Sequence, residues 1–146
     1  MSSDDRGETL IELLVALTIL GIALVAVVGA FGASITMSDI HRKQATAGAG
    51  VRNYAEQVES YIAGTGYSAC AAPSAYAAAT VGYAAPTGYT AAPVAIRYWT
   101  GSAWSAGCAS DTGLQQLTIA VNSSDTRASE QLVVVLRKPC GIGSTC

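Results

Sequence analysis

An uninterrupted apolar run near the N-terminus constrains this chain more than any other feature of its sequence. The run extends from Leu10 to Ala33, LIELLVALTILGIALVAVVGAFGA, and its one charged residue is Glu12. A helix rises about 1.5 Å per residue, so this run is long enough to cross a bilayer core of about 30 Å. We therefore expect the chain to be anchored in a membrane or exported across it.

The composition of the run leaves two ordinary interpretations open. A cleaved secretory signal peptide, with Val28-Gly29-Ala30 as the cleavage site, should have a basic segment before a shorter apolar run. Here Asp4 and Asp5 accompany the single Arg6. A membrane anchor fits the length, but a carboxylate such as Glu12 costs roughly 3 kcal/mol at the centre of a span and less near its end.

The residues around the start of the run form a more specific motif. From Arg6 to Val15 they read RGETLIELLV, which resembles the signal of type IV prepilins and type II secretion pseudopilins. In that family a dedicated peptidase cuts after the glycine, the new N-terminus is usually methylated, and a glutamate stands at the fifth mature position. The resemblance implies cleavage between Gly7 and Glu8, with Glu12 fifth. Glu8 stands where the family usually has phenylalanine, which leaves its methylation open.

The resemblance also implies a role for the carboxylate in the run. Cleavage would give Glu8 a free ammonium group, and neither that charge nor Glu12 is tolerated alone in a bundle of apolar helices. In the family, the glutamate of an incoming subunit is proposed to pair with the N-terminal ammonium of its neighbour, which assigns Glu12 to assembly and register. The alternative is a peripheral glutamate that the helix dipole favours.

Partners and location follow from the same resemblance. The implied partners are the prepilin peptidase, a membrane assembly platform, membrane lipid before assembly, and other pilin subunits in a helical filament. The protein would be a single-pass inner-membrane protein with its C-terminal domain outside, and then part of an extracellular pilus or pseudopilus. Charge asymmetry alone leans the other way, because Arg42, Lys43 and Arg52 follow the run.

Composition argues against several other functions. Eight basic and ten acidic residues give a formal charge of −2, which leaves no polybasic surface for nucleic acid. One histidine and no acidic cluster argue against a metal site or a catalytic triad. The sequence therefore predicts no cofactor, no metal, no nucleic-acid contact and no enzymatic activity.

Helical periodicity continues beyond the apolar run. It forms one stripe with spacings of three and four residues, at Val51, Tyr54, Val58 and Tyr61. Gly64-Thr65-Gly66 marks its end, so we expect one helix over residues 8–63. Within this organisation residues 1–7 are the leader, 10–33 the membrane and polymerisation segment, and 64–146 a disulfide-stapled C-terminal globular domain.

Alternating apolar residues in the second half predict an antiparallel meander of three or four strands. We expect strands over residues 94–99, 114–121 and 130–138, and a short return strand at Trp104. The fold class is then α+β, with a long membrane-spanning helix packed at its C-terminal half on the sheet, as the pilin resemblance also implies. Residues 67–93 should form a long surface connection, whose tyrosines either pack onto the domain or contact a ligand or neighbouring subunits.

Four cysteines behind an apolar N-terminus indicate export and disulfide formation. They allow three pairings, of which we favour Cys70 with Cys108 and Cys140 with Cys146. The first bridge would tie the long connection to the sheet, and the second would hold the C-terminal tail.

Together these features predict a type IV pilin-like structural subunit, either a minor pilin or a pseudopilin. The sequence leaves open whether it serves a pilus, secretion or DNA uptake. A non-polymerising, membrane-anchored extracytoplasmic binding domain is the alternative.

Overall fold

The computed structural model describes residues 10–140, so the leader, the Gly7–Glu8 bond and Cys146 lie outside the described residues. Helix α1 comprises Leu10–Tyr61. The strands that follow are β1 Tyr89–Trp99, β2 Trp104–Ser105, β3 Leu114–Ser123 and β4 Ser129–Arg137. The fold is α+β, which confirms the predicted class.

The described residues divide into two compact units, one ending at Asp39 and the other beginning at Ile40. The described part of the first unit is helix α1 alone. In the second unit the remainder of α1 packs on the four-stranded sheet, and this packing forms the hydrophobic core.

The predicted helical stripe lies in that core. Val51, Tyr54 and Val58 are buried, and Tyr61 is half-buried against the same cluster. The sheet contributes alternate residues of β3, where Leu117 and Ile119 are fully buried. Strand β3 therefore shows the predicted alternation, with one face toward the helix.

The three long strands form the predicted antiparallel meander, and only the short strand β2 departs from a four-stranded one. All pairings are antiparallel, but the order across the sheet is β2-β1-β3-β4, so β3 lies next to β1 and not next to β2. Strand β2 has two residues and pairs only with Tyr98 and Trp99. Strand β3 pairs along the other side of β1, from Tyr89 to Tyr98.

Strand β1 begins at Tyr89, before the predicted start at Val94. The early part has no apolar alternation, yet Ala91 pairs opposite the buried Val121 of β3. The register shifts between Pro93 and Ala95, which marks a bulge where proline can be accommodated. The connection between α1 and β1 is correspondingly shorter than predicted.

The tyrosines of this connection pack onto the domain, as one of the two interpretations predicted. Tyr76 is fully buried, and its carbonyl accepts a hydrogen bond from Tyr54 Oη at 2.6 Å. The ring of Tyr83 stacks on that of Tyr54, with centroids 4.9 Å apart and an interplanar angle of 11°. Burial, followed by repulsion from Tyr83, raises the pKa of Tyr54 to about 12.

Two glycines permit close approaches at the helix. A Cβ at Gly50 would lie 3.1 Å from Tyr83 Oη and 3.4 Å from Val121 Cγ1, so this glycine lets α1 approach the sheet and the connection. Helix α1 ends at Tyr61 and continues as a wider helical turn over Ile62–Gly66. A Cβ at Gly66 would overlap the Tyr61 ring, which explains a glycine near the predicted helix end.

Gly48→Ala and Gly50→Ala form a matched pair of variants. Both gain about 1 kcal/mol of helix propensity, but a Cβ at Gly48 meets no atom within 4 Å. We expect Gly48→Ala to raise the free energy of unfolding by about 0.5–1 kcal/mol. Gly50→Ala should be less stable than Gly48→Ala by about 1 kcal/mol or more, because of overpacking. Urea unfolding of the detergent-solubilised chain measures both, and equal stabilities would contradict the close approach at Gly50.

Candidate functional site

The described part of the prepilin-like motif begins with the first turn of α1. Glu12 lies in that turn and is exposed. No hydrogen bond or ion pair joins it to another described residue. Gly7 and Glu8, the residues of the expected cleavage site, lie outside the described range, so cleavage and pairing of the new ammonium stay predictions.

The surface that follows Glu12 is apolar on every side of the helix. Large hydrophobic side chains remain at least half exposed from Leu10 to Met37. The most apolar 18 residues have a mean hydropathy of 2.8, and none of them is buried in the described structure. By length and composition the apolar part of α1 can cross a membrane, and its exposure distinguishes it from a core helix of a soluble protein.

The other polar side chain of the apolar run is already satisfied within the helix. Thr18 Oγ1 donates a hydrogen bond to the carbonyl of Val15 at 2.7 Å. The backbone N–H and C=O groups of the helix are also hydrogen-bonded within it, as an apolar environment requires. Glu12 is therefore the one side chain of Leu10–Ala33 that needs a partner from outside the described residues.

The second unit holds the helix by an ion pair near its boundary. Lys43 Nζ donates to Asp125 Oδ2 at 2.6 Å, and Asp125 lies in the turn between β3 and β4. The Lys43 ammonium, together with the Ser123 hydroxyl, holds the pKa of the Asp125 carboxyl well below its usual range. This exposed pair positions α1 against one end of the sheet.

The disulfide Cys70–Cys108 joins the connection to the segment between β2 and β3, with the Cα atoms 5.6 Å apart. This is the pairing that the sequence favoured for these two cysteines. It closes a loop with a sequence separation of 38 residues, worth about 4 kcal/mol in the chain-entropy model. Cys140 is also disulfide-bonded. Its predicted partner, Cys146, lies outside the described residues.

Asp111 organises the backbone around this disulfide. Its carboxylate accepts hydrogen bonds from the Tyr67 hydroxyl at 2.8 Å and from the N–H of Cys70 at 2.9 Å. It also accepts the N–H of Gly113 and the amide of Gln115. Cys70 has a φ of 51°, a conformation that these two tethers hold in place.

The carboxylate of Asp111 is kept ionised by these donors. Desolvation raises its pKa, but the hydrogen bonds from Gly113, Tyr67, Cys70 and Gln115 together outweigh that effect and lower the pKa. Burial and the bond to Asp111 raise the pKa of the Tyr67 hydroxyl. The cluster is a structural network, because each polar group in it is bonded to a neighbour.

Metal ligation finds no support in the part of the chain that the structure describes. Among residues 10–140 there is no group of three or more histidine, cysteine, aspartate or glutamate side chains placed to hold an ion.

Comparison with known proteins bears on the N-terminal segment. Residues 2–28 match the family model of the prokaryotic N-terminal methylation motif. The chain carries the type IV prepilin signal. No curated protein and no solved structure matches the chain.

The prepilin signal supports a processed, type IV pilin-like subunit of a structural, non-enzymatic family. Its match ends at residue 28, inside the exposed apolar surface of α1, so signal and surface form one continuous segment. The match does not extend to the second unit, which begins at Ile40.

Sequence reasoning missed Asp111 and Gln115. Gln115 is fully buried in β3 and binds both the Ser68 carbonyl and Asp111, although a glutamine in a strand gave no indication of this. For Asp111 a signal exists, since Asp-Thr-Gly at residues 111–113 forms a turn in which the aspartate accepts the N–H of Gly113.

We expect Asp111→Asn to lower the free energy of unfolding by about 1–3 kcal/mol at neutral pH, because charged hydrogen bonds are weakened. The folded-state pKa of Asp111 is lowered, so its stabilisation is complete above the unfolded pKa near 4 and is lost as pH falls through the folded value. The difference in unfolding free energy between the parent chain and Asp111→Asn should therefore become smaller as the pH is lowered.

Urea unfolding at about pH 7 and about pH 3 tests this pH dependence. Glu56→Gln, which removes an exposed carboxylate from α1, is the matched control. Its free energy of unfolding should be only slightly below that of the parent chain at both pH values. A deficit of Asp111→Asn that stays constant across this range would contradict the assigned role.

Proposed function

We propose that this chain is a minor pilin or a pseudopilin, cleaved after Gly7 and assembled into a filament through α1. The observation that carries the proposal is the continuity of the prepilin signal with an exposed apolar segment, Leu10–Ala33, whose one unpartnered polar side chain is Glu12. An ordinary anchor needs the apolar surface but has no use for the carboxylate.

The membrane changes what drives assembly. Moving α1 from lipid into a bundle of like helices exchanges one apolar environment for another, so burial of Leu10–Ala33 supplies little net free energy. Close packing and polar pairing then decide whether and where a subunit docks. This puts Glu12 in control of the axial offset between subunits.

The pairing is selective because an unpaired charge is costly. Breaking one partner of a buried ion pair typically costs about 3–5 kcal/mol. A subunit docked in the wrong register would leave both the Glu12 carboxylate and an ammonium at Glu8 without partners. In the correct register the carboxylate meets the ammonium of a neighbouring copy.

The domain assignments follow from this function. We propose residues 1–7 as the leader, residues 8–63 as the assembly helix and residues 64–146 as the exposed domain. Before assembly the protein would be a single-pass inner-membrane protein with the C-terminal domain outside. The Cys70–Cys108 bridge suits that location, because disulfides persist in oxidising compartments.

Two variants separate processing from assembly. In cells with a prepilin peptidase and an assembly platform, Gly7→Leu should keep the leader, because the bulky side chain blocks cleavage, and the intact mass should show this. Glu12→Ala should be cleaved normally, yet its incorporation into sheared filaments should fall at least tenfold. Glu56→Ala, which removes an exposed carboxylate from the second unit, should behave as the parent chain does.

The outcomes distinguish the proposal from its alternatives. Normal filament incorporation of Glu12→Ala would contradict the assembly role. A mature N-terminus near Phe31 would indicate a secreted domain. Membrane retention of an uncleaved parent chain, without filaments, would indicate a non-polymerising anchored binding domain.

A further inference from the structure

Strand β4 forms one edge of the sheet, and this edge is less protected than the opposite one. On the other side of the sheet, β1 is flanked by β2, contacts the short helix Pro73–Tyr76, and carries Pro93 at a bulge. Among the described residues β4 pairs with β3 alone. Its segment 131–136, QLVVVL, has no proline, glycine or charge. Proteins usually block such edges because they readily accept another strand.

The hydrogen bonds of β4 show which backbone groups point to this edge. Lys138 donates its N–H to the carbonyl of Gly113 at 2.8 Å, and the carbonyl of Ala128 accepts the N–H of Ser123. Backbone hydrogen bonding alternates along an antiparallel strand, so the N–H and C=O groups of the even-numbered residues of β4 point toward β3. Residues 131, 133, 135 and 137 therefore direct their N–H and C=O groups away from the sheet.

We propose that the β4 edge binds the β4 edge of a second copy of this chain, antiparallel, about a two-fold axis at Val134. The odd-numbered residues then exchange backbone hydrogen bonds, with Val133 opposite Val135 of the second copy. On the helix side of the sheet, Glu130 stands opposite Lys138. The two four-stranded sheets become one sheet of eight strands.

Charge favours this register over the two neighbouring registers, in which odd-numbered residues of the two copies would also lie opposite each other. With the axis at Val133, Glu130 would face Leu136. With the axis at Val135, Lys138 would face Leu132. Only the axis at Val134 places opposite charges against each other at both ends of the paired strands, and facing charges of opposite sign stabilise antiparallel pairs.

The apolar surface beside the edge fits the same arrangement. A groove of about 460 Å³ lies between the end of α1 and β4, lined by Ile62, Ala63 and Leu136 among others. Leu132 of the second copy would stand opposite Leu136, on the side where the groove lies. On the outer face, Val133 and Val135 are 52% and 55% exposed, and each would gain a valine neighbour.

The symmetry restricts where such a contact can occur. A two-fold axis perpendicular to a continuous sheet reverses every direction within its plane, so the helices packed on the two sheets run in opposite directions. Neighbours in one helical filament point the same way. Resting on the proposed function, this contact therefore joins subunits of two different filaments.

Charge reversal tests the pairing in the full-length chain in detergent micelles, with association measured by sedimentation equilibrium. Glu130→Lys and Lys138→Glu each place like charges at both ends, and each should weaken association about tenfold or more. A mixture of the two variants restores opposite charges at both ends and should restore association. Glu56→Lys and Arg52→Glu make the same net-charge changes on α1 and should leave it unchanged.

The mixture also distinguishes association through the β4 edge from association through the apolar part of α1, because that part of α1 is identical in all variants. If the mixture associates no better than either variant alone, the β4 pairing is wrong. The β4 pairing would also be wrong if Glu56→Lys weakened association as much as Glu130→Lys does.

Filaments separate this inference from the proposed function. In electron micrographs of sheared material, parent filaments should lie in bundles, and either reversal should disperse the bundles while filaments persist. Charge-dependent dimers without filaments would refute the proposed function and leave the edge pairing standing. Filaments without charge-dependent association would refute the edge pairing alone.

Discussion

The apolar N-terminal part of α1 must be covered, and in the described structure this chain does not cover it. None of the most apolar 18 residues of α1 is buried, so lipid or other helices must surround them. In either environment every polar group needs an internal partner. The backbone has one in the helix, and Thr18 has one in the Val15 carbonyl. The constraint leaves Glu12 as the one side chain of Leu10–Ala33 that needs a partner from outside the described residues.

The second unit faces a different difficulty, because its connection between α1 and β1 is rich in alanine and glycine and buries little area per residue. Tyrosines compensate by supplying both apolar area and a hydrogen bond to the backbone. Tyr54 binds the Tyr76 carbonyl at 2.6 Å, and Tyr98 binds the Ala71 carbonyl at 2.7 Å. The Cys70–Cys108 bridge and Asp111 hold the remainder of this segment. A small core thus orders a segment with little regular structure.

Periodic patterns predicted the elements well, because burial on one face leaves a repeat in the sequence. The stripe containing Val51 and Tyr54 and the alternation of β3 are examples of this. The position of β2 on the outer side of β1 and the early start of β1 were not predictable in this way. Both depend on which distant strand is available for pairing, and the residues before Val94 carry no apolar alternation. Gln115 was missed because its burial is compensated by partners far away in the chain.

The sequence by itself determined the apolar segment, its single carboxylate and the signal that overlaps them, since these are contiguous and local. It also determined the helix and strand periods. Only the tertiary structure decided that β4 forms an edge, that Gly50 permits the helix to approach the sheet, and that Asp111 closes the network beside the disulfide. These features arise from contacts between residues far apart in the chain, and such contacts leave no repeating pattern in the sequence.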